Sequence, residues 1–251
     1  MDISSLMKAV AVRRSRRKFL GKPIDVRSVA ELRERLVEYN KAGNIRMELV
    51  TNNGKAFDGF TKSYGMFSGV NDYIVLIADK NDKTAVERLG YYGELMVLHA
   101  TEMGLGSCWV GGAFSRSDMP VELSGNEEIV CAVIVGNTEE KYSFKEKLMR
   151  GVTHLKTKSI EQMYTSDAPV PKWFTSGMES VQKAPSAVNR QPVMFSYKNG
   201  NVSAEVRDIT NAMLALDFGI AKLHFELGVG GGKWEWGNGG GFVPAANEKV
   251  E

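Results

Sequence analysis

The chain has 251 residues, of which 43% are hydrophobic and 25% are charged. This composition is typical of a globular protein and excludes a disordered or fibrous one. Lysine and arginine total 32 against 30 acidic residues, so the formal charge of +2 produces no strong overall field to attract nucleic acid or an anionic membrane.

Cysteine and histidine are scarce in this sequence. Cys108 and Cys131 are too few for a disulfide framework, and neither they nor the three histidines have zinc-site spacing. No stretch reaches the roughly 20 apolar residues of a membrane helix, and the start of the chain lacks the layout of a signal peptide. We therefore expect a cytoplasmic protein without a metal site or a membrane partner.

The pattern of apolar residues predicts helices and strands along the first part of the chain. Helices are predicted over Ile3–Val12, Val29–Tyr39 and about Thr84–Met103, and strands over Ile45–Val50, Tyr73–Ala78 and Ile129–Val135.

The second part of the chain echoes the first. A predicted strand, Pro192–Tyr197, ends at a turn signal, and a predicted helix, Thr210–Leu227, ends at a glycine. The glycine-rich stretch Gly228–Gly241, which contains Trp234 and Trp236, is predicted to be a loop. The echo favours a pseudo-duplication with its join near residues 163–172. We assign residues 1–165 to the first half and 166–251 to the second, packed as one compact unit.

Four segments have residues suited to chemistry. Arg13–Phe19 is strongly basic; arginine forks and a serine hydroxyl match phosphate oxygens, although a solvated charge run or a nucleic-acid patch would have the same composition. Ala184–Pro192 combines fixed backbone with Ser, Asn and Gln, which suits a flat heteroatom-rich ring or a generic polar turn. Gly104–Gly112 is predicted to be a Gly-x-Gly loop that allows close backbone approach to a ligand. The fourth segment, Lys156–Glu161, places two cations before a short predicted helix.

Two other interpretations of the third segment fail on the sequence. A dinucleotide fingerprint follows a strand and opens a helix, whereas Gly104–Gly112 follows a helix. Cys108 lies within the segment, but no residue marks a base beside it, so a core thiol is the favoured interpretation over a nucleophile.

Together the four segments resemble the nitroreductase family of FMN-dependent flavoproteins. An Arg-x-Ser-x-Arg-x-Phe segment holds the flavin in that family, and a Pro-Ser-x-x-Asn-x-Gln-Pro segment approaches the ring from the partner subunit. A helix ending in Gly-Leu-Gly presents backbone N–H to the flavin N5, and a Lys-x-Arg/Lys pair adds phosphate contacts. The corresponding residues here are Arg13, Ser15, Arg17, Phe19, Pro185, Ser186, Asn189, Gln191, Pro192, Tyr91–Gly112, Lys156 and Lys158.

The order of the segments departs from the family. Asn40–Ile45 occupies the usual place of the Pro-Ser segment, which instead lies in the second half, and the second half lacks an Arg-x-Ser-x-Arg segment. The halves are therefore complementary, as if a homodimer had been fused into one chain similar to the single-chain nitroreductases. One complete flavin site remains out of two, and we expect a monomer, with a homodimer as the alternative.

The resemblance implies an α+β fold with a mostly antiparallel sheet flanked by helices and two pseudo-symmetric halves. It implies an FMN-dependent oxidoreductase that transfers electrons from NAD(P)H to a nitroaromatic, quinone or similar flat acceptor, with the flavin performing the chemistry. Arg17 would lie near N1 and O2 of the flavin. The predicted cofactor-binding residues are Arg13, Arg14, Ser15, Arg17, Gly111, Gly112, Lys156, Lys158, Pro185, Ser186, Asn189 and Gln191.

Three alternatives stay open on the sequence. A degenerate protein of the same fold would bind no cofactor, and a flavin enzyme of another chemistry would catalyse dehalogenation or flavin breakdown. A nucleic-acid-binding module is disfavoured because the basic segment lacks interleaved aromatic residues.

Overall fold

A computed structural model describes residues 2–59, 65–144, 146, 147, 151 and 156–245. The chain divides into two compact units that are interleaved along the sequence. The first unit comprises Val12–Ala85 and Leu95–Thr153, and the second comprises Met1–Ala11, Val86–Glu94 and His154–Glu251.

The first unit contains a four-stranded antiparallel sheet in the order β1-β2-β4-β3. Its strands are β1 (Arg46–Val50), β2 (Asp72–Asp79), β3 (Gly106–Val110) and β4 (Glu127–Gly136). The two central strands are apolar and buried along most of their length, as expected for strands with neighbours on both edges. Helix α2 (Val26–Gly43) belongs to this unit and is capped by Asp25, whose side chain accepts a hydrogen bond from the Ser28 N–H.

The second unit contains a five-stranded sheet in the order β5-β6-β7-β9-β8. Its strands are β5 (Tyr164–Ser166), β6 (Met194–Lys198), β7 (Asn201–Glu205), β8 (Gly232–Trp234) and β9 (Gly241–Pro244). Only the β5–β6 pair is parallel in this sheet. The accompanying helices are α1 (Ile3–Val12), α4 (Lys172–Lys183) and α5 (Ala212–Val229), and α3 (Ala85–Glu102) contributes residues to both units.

The two series of elements have the same topology. The order α2-β1-β2-α3-β3-β4 is matched by α4-β6-β7-α5-β8-β9, and each series arranges its four strands in the same sheet order. This confirms the α+β class with mostly antiparallel sheets flanked by helices. A duplication, and a division of the halves after residue 165, remain predictions.

Helices α3 and α5 pack with their backbones in contact within the second unit. A Cβ atom on Gly90 would lie 2.2 Å from the carbonyl oxygen of Leu216, and one on Gly219 would lie 1.8 Å from that of Glu87. Side chains at these two positions would separate the helices. The glycines therefore set the close approach on which the buried polar pairs between these helices depend.

The predicted helices and strands are confirmed to within a few residues at their ends, but two predicted loops are wrong. The Gly228–Gly241 stretch contains the end of α5, strand β8 and the start of β9. Trp234 is buried against Phe225 and Phe242, and its indole N–H donates to the carbonyl of Lys222 at 2.9 Å. Burial of this aromatic side chain outweighs the low strand propensity of the surrounding glycines.

The Gly104–Gly112 segment is the second correction, because Gly106–Val110 forms strand β3 instead of a loop. A Cβ atom on Gly106 would lie 2.4 Å from the Thr138 methyl carbon, so glycine lets the strand start against that residue. No helix in the described part of the chain is long and apolar enough to cross a membrane.

Candidate functional site

The predicted basic segment lies beside β3 in the first unit. Ser15 forms a parallel bridge with Ser107, and the Arg16 N–H donates to the Ser107 carbonyl at 2.8 Å. Farther along, the Phe19 N–H donates to the Ser68 carbonyl at 2.9 Å, and the Phe19 ring is buried against Gly136. The structure thus brings together two of the four predicted segments, Arg13–Phe19 and Gly104–Gly112.

Arg16 anchors the basic segment, a role that the sequence analysis missed. Its side chain is buried, its Nε lies 3.1 Å from the Glu146 carboxylate, and one terminal nitrogen donates to the Thr138 hydroxyl at 2.9 Å. The Arg16 guanidinium also donates to the carbonyls of Glu139 and Lys141. By contrast, the predicted residues Arg13, Ser15 and Arg17 are partly exposed and Arg14 is exposed.

The Glu146 carboxylate holds the backbone of the same segment. One carboxylate oxygen accepts from the N–H groups of Arg17 at 2.9 Å and Lys18 at 3.2 Å, in addition to the Arg16 guanidinium. Burial raises the pKa of Glu146, but these hydrogen bonds and those from Ser143 outweigh burial and lower it to about 2. The carboxylate therefore remains ionised and fixes the chain where Arg13 and Arg17 lie.

Cys108 is a core thiol, as predicted. It is a buried free cysteine on β3, and burial raises its pKa to about 11 although the charges of Arg17 and Arg13 act to lower it. A thiol that remains protonated at neutral pH is a poor nucleophile. The charges of Arg17 and Arg13 nevertheless both act on Cys108, so the part of the first unit around this thiol has two nearby positive charges.

Gly111 and Gly112 follow β3 and are exposed. A Cβ atom built on Gly112 would meet nothing within 4 Å. The backbone at Gly112 therefore borders open space, and its role in binding a ligand remains a prediction.

The Pro185–Pro192 segment lies in the second unit and is internally braced. Its short 3-10 turn, Ala187–Asn189, is closed by the Asn189 N–H, which donates to the Ser186 carbonyl at 3.0 Å. The Ser186 hydroxyl accepts from the Gln191 N–H at 2.9 Å. Val188, Asn189 and Gln191 have φ values of 50°, 56° and 46°, and positive φ is especially costly for a β-branched valine.

The structure joins this segment to the predicted lysine segment. The Lys158 N–H donates to the Gln191 side-chain oxygen and its ammonium to the Gln191 carbonyl, both at 2.8 Å. The Asn189 amide donates to the Thr157 hydroxyl at 3.2 Å. Lys156 is exposed. The second and fourth predicted segments therefore form one cluster.

Gln191 faces the interior of that cluster. It is 4% exposed, and its amide nitrogen donates to the Gln182 carbonyl at 3.1 Å. Both ends of its side-chain amide are thus engaged by the chain. Its role in the structure is to brace the Pro185–Pro192 segment.

Asp217 is a further residue at this cluster that the sequence analysis missed. It projects from α5, and both of its oxygens accept from the Ala187 N–H, at 3.1 and 3.2 Å. Burial raises the pKa of Asp217 to about 7, although hydrogen bonding from Ala187 and the charge of Arg190 oppose the shift. Its position within an apolar helix gave no sequence signal, because its partner lies 30 residues away.

The second unit has a glycine at the position that corresponds, by its spacing from the preceding helix, to Gly111. Strand β3 begins two residues after Gly104 and β8 two residues after Gly230, so Gly237 is the counterpart of Gly111. The Gly237 N–H donates to the Glu87 carboxylate at 2.8 Å. In the second half this backbone donor is therefore occupied by the chain itself.

A buried ion pair completes that arrangement. The Lys222 ammonium lies 2.6 Å from the other Glu87 oxygen and donates to the carbonyls of Glu235 at 2.8 Å and Gly237 at 3.3 Å. The side chains of both ion-pair partners are fully buried. All three ammonium hydrogens thus have acceptors, which is the condition under which a buried lysine is tolerated.

The two histidines in the described part of the chain have structural partners. His99 is hydrogen-bonded to the Tyr39 hydroxyl and the Glu102 carboxylate, at 2.7 and 2.6 Å, and His224 contacts Glu94 at 3.1 Å. His154 lies outside the described residues. Across the part of the chain that the structure describes, no group of three or more His, Cys, Asp or Glu residues is placed to hold a metal ion.

The sequence matches the protein family described as Putative TM nitroreductase over residues 5–229. Because this match spans most of the chain, the chain belongs to that nitroreductase family. No curated protein matches the sequence.

Solved structures resemble the chain in fold. A crystal structure described as a putative nitroreductase from Thermotoga maritima MSB8 is 19% identical, with 94% of this chain and 91% of that chain covered and a TM-score of 0.63. An FMN-dependent nitroreductase from Clostridium difficile R20291 is 17% identical over 61% of this chain and 99% of its own, with a TM-score of 0.44. A structure from Desulfovibrio desulfuricans described as a putative nitroreductase in complex with FMN is 16% identical over 57% and 95%, with a TM-score of 0.43.

Proposed function

We propose that the protein is a cytoplasmic FMN-dependent oxidoreductase that takes electrons from NAD(P)H and passes them to a nitroaromatic, quinone or similar flat acceptor. The observation that carries the proposal is the basic segment of the first unit. Glu146 and Arg16 hold its backbone while Arg13 and Arg17 remain partly exposed. Membership of the nitroreductase family and the open backbone at Gly112 support the same assignment.

The residues present fit the two chemical parts of FMN. Arg13, Arg14 and Ser15 offer cationic and hydroxyl donors for a phosphate and a ribityl chain. Lys156, in the second unit, is an exposed cation. Gly111 is exposed, and Gly112 leaves room for a flat ring against the backbone. When bound, FMN supplies the hydride and electron chemistry, and the protein contributes binding, orientation and charge.

Arg17 has a second task in this proposal. Its guanidinium carries a permanent positive charge and stands on a segment that Glu146 keeps fixed. A preorganised positive charge favours the more negative, reduced form of a bound cofactor. Arg17 thus raises the reduction potential, whereas Arg13 mainly contributes affinity.

One chain is proposed to bind one FMN and to act as a monomer. The basic segment and the Pro185–Pro192 segment each occur once, and the counterpart of the Gly111 N–H in the second half is occupied by Glu87. Residues 1–165 and 166–251 would then be complementary halves of a fused dimer. Ser186, Asn189, Gln191 and Lys158, which the resemblance assigns to the ring-facing side, are held together within the second unit.

Anaerobic reduction tests the activity. FMN-loaded protein is mixed with NADH or NADPH, and the flavin absorbance is followed before and after addition of a quinone or a nitroaromatic compound. The proposal predicts bleaching by at least one nicotinamide and recovery of colour with the acceptor. Bound FMN that neither nicotinamide reduces would contradict the proposed reaction and favour another flavin chemistry.

Replacing Arg13 or Arg17 by alanine should produce different effects. A charge-assisted hydrogen bond contributes roughly 1.5–3 kcal/mol, so Arg13→Ala should weaken FMN binding by about tenfold to a hundredfold. Arg17→Ala should also lower the midpoint potential of bound FMN, which potentiometric titration measures. Exposed Lys22→Ala, in the same unit, is the control. Equal potentials in the wild type and Arg17→Ala would refute the role assigned to Arg17.

A further inference from the structure

Asp217 is a buried carboxylate with little hydrogen bonding. It is 6% exposed, and the hydrogen bonds that it receives within the described part of the chain come from one donor, the Ala187 N–H. An ionised carboxylate has about four acceptor sites, and burial of an incompletely satisfied charge is costly. An asparagine could accept from the same N–H without a charge, so packing alone does not account for an aspartate here.

The Ala187 N–H that donates to Asp217 lies at the start of the strained turn in the Pro185–Pro192 segment. Ala187 is followed directly by Val188, a β-branched residue with a φ of 50° whose side chain is 47% exposed. Such a conformation persists only where the surrounding structure enforces it. Asp217 restrains the start of the turn, while the bonds of Gln191 to Ser186 and Lys158 restrain its end.

We infer that Asp217 is a positioning residue: its carboxylate holds the turn that presents Val188, and loss of the negative charge loosens the turn and weakens FMN binding. The inference that concerns FMN rests on the proposed function. The one concerning the turn does not.

Protonation near neutral pH would control this restraint. Burial raises the pKa of Asp217 to about 7, and Arg190, on the held segment, is the charged group that opposes the shift. Lys158 is tied to the same segment through the Gln191 carbonyl. Above the pKa the Ala187 N–H donates to a carboxylate, and below it to a neutral acid, which is the weaker acceptor.

Burial of the negative charge also lowers the stability of the fold. The pKa of Asp217 rises from 3.8 in the unfolded chain to about 7 in the fold. Between these values the folded state binds more protons than the unfolded state, so stability falls as pH rises through that window. Asp217→Asn should lack this fall and melt at a higher temperature than the wild type at about pH 8.

FMN titration by fluorescence quenching tests the effect on the cofactor. Wild type, Asp217→Asn and the exposed control Glu205→Gln are compared at about pH 5.5 and about pH 8, on either side of the pKa. At the higher pH, Asp217→Asn should bind FMN about fivefold more weakly than the wild type, and at the lower pH equally well. Comparison within one buffer cancels the titration of the FMN phosphate. A ratio of dissociation constants that does not change with pH would overturn the inference.

Hydrogen exchange of the cofactor-free protein tests the restraint itself. The Ala187 amide should be less protected in Asp217→Asn than in the wild type at about pH 8, while Glu205→Gln leaves it unchanged. Equal protection in all three proteins would overturn the inference. If the amide responds as expected but the wild type binds no FMN, the restraint is supported and the proposed function fails.

Discussion

Glu146→Ala should lower the free energy of unfolding by roughly 3–5 kcal/mol, because it leaves the buried Arg16 guanidinium without its anionic partner. The same change frees the N–H groups of Arg17 and Lys18. FMN binding should therefore weaken as well, by at least about tenfold, although Glu146 itself is not among the residues proposed to contact the cofactor.

Urea denaturation and FMN titration measure these two effects. Glu146→Gln, which retains an acceptor oxygen, should lose less stability and less FMN affinity than Glu146→Ala. The exposed control Glu140→Ala should lose little of either. Because the pKa of Glu146 is lowered from 4.5 to about 2, its contribution is complete above 4.5 and is lost as pH falls toward 2. Equal acid sensitivity of Glu146→Ala and the wild type would contradict this assignment.

Lys222→Met should destabilise the fold by a similar amount, roughly 3–5 kcal/mol, because the Glu87 carboxylate would remain fully buried without its cation. The double variant Glu87→Gln/Lys222→Met removes both charges, and glutamine can still accept from the Gly237 N–H. Replacing both partners of a buried pair is commonly close to neutral. The double variant should therefore recover most of the stability lost by the single one.

Chemical denaturation of the two single variants, the double variant and the exposed control Lys233→Met gives the coupling energy. A double variant as unstable as the sum of the two single changes would show that the charges act independently, contrary to the structure. FMN binding should be retained in the folded double variant. Glu87 and Lys222 lie beside Gly237, where no flavin site is proposed.

Length and apolar content in the sequence were sufficient for the long elements. The 18-residue helices α3 and α5 and the strands β2 and β4 are long, nearly continuous runs of buried residues. Strand β8 has three residues beside glycines and was interpreted as a loop. Its position depends on Trp234 packing against Phe225 and Phe242, and local propensity does not report such contacts.

The candidate site was only partly predictable for a related reason. Its four segments have distinctive compositions, so Arg13–Phe19 and Pro185–Pro192 could be selected from residue types alone. The residues that hold them could not. Arg16 and Glu146 are 130 residues apart, and Asp217 and Ala187 are 30 apart; such pairs leave no periodic pattern. The sequence therefore indicated candidate ligand contacts, and the structure added the side chains that position them.

The number of FMN molecules that this chain binds can be measured by a stoichiometric titration. Protein at a concentration well above the dissociation constant is titrated with FMN, and flavin fluorescence is followed to the break point. We expect a break at one FMN per chain in the wild type. A break at two would contradict the complementary halves, and the absence of any bound FMN would contradict the proposed function itself.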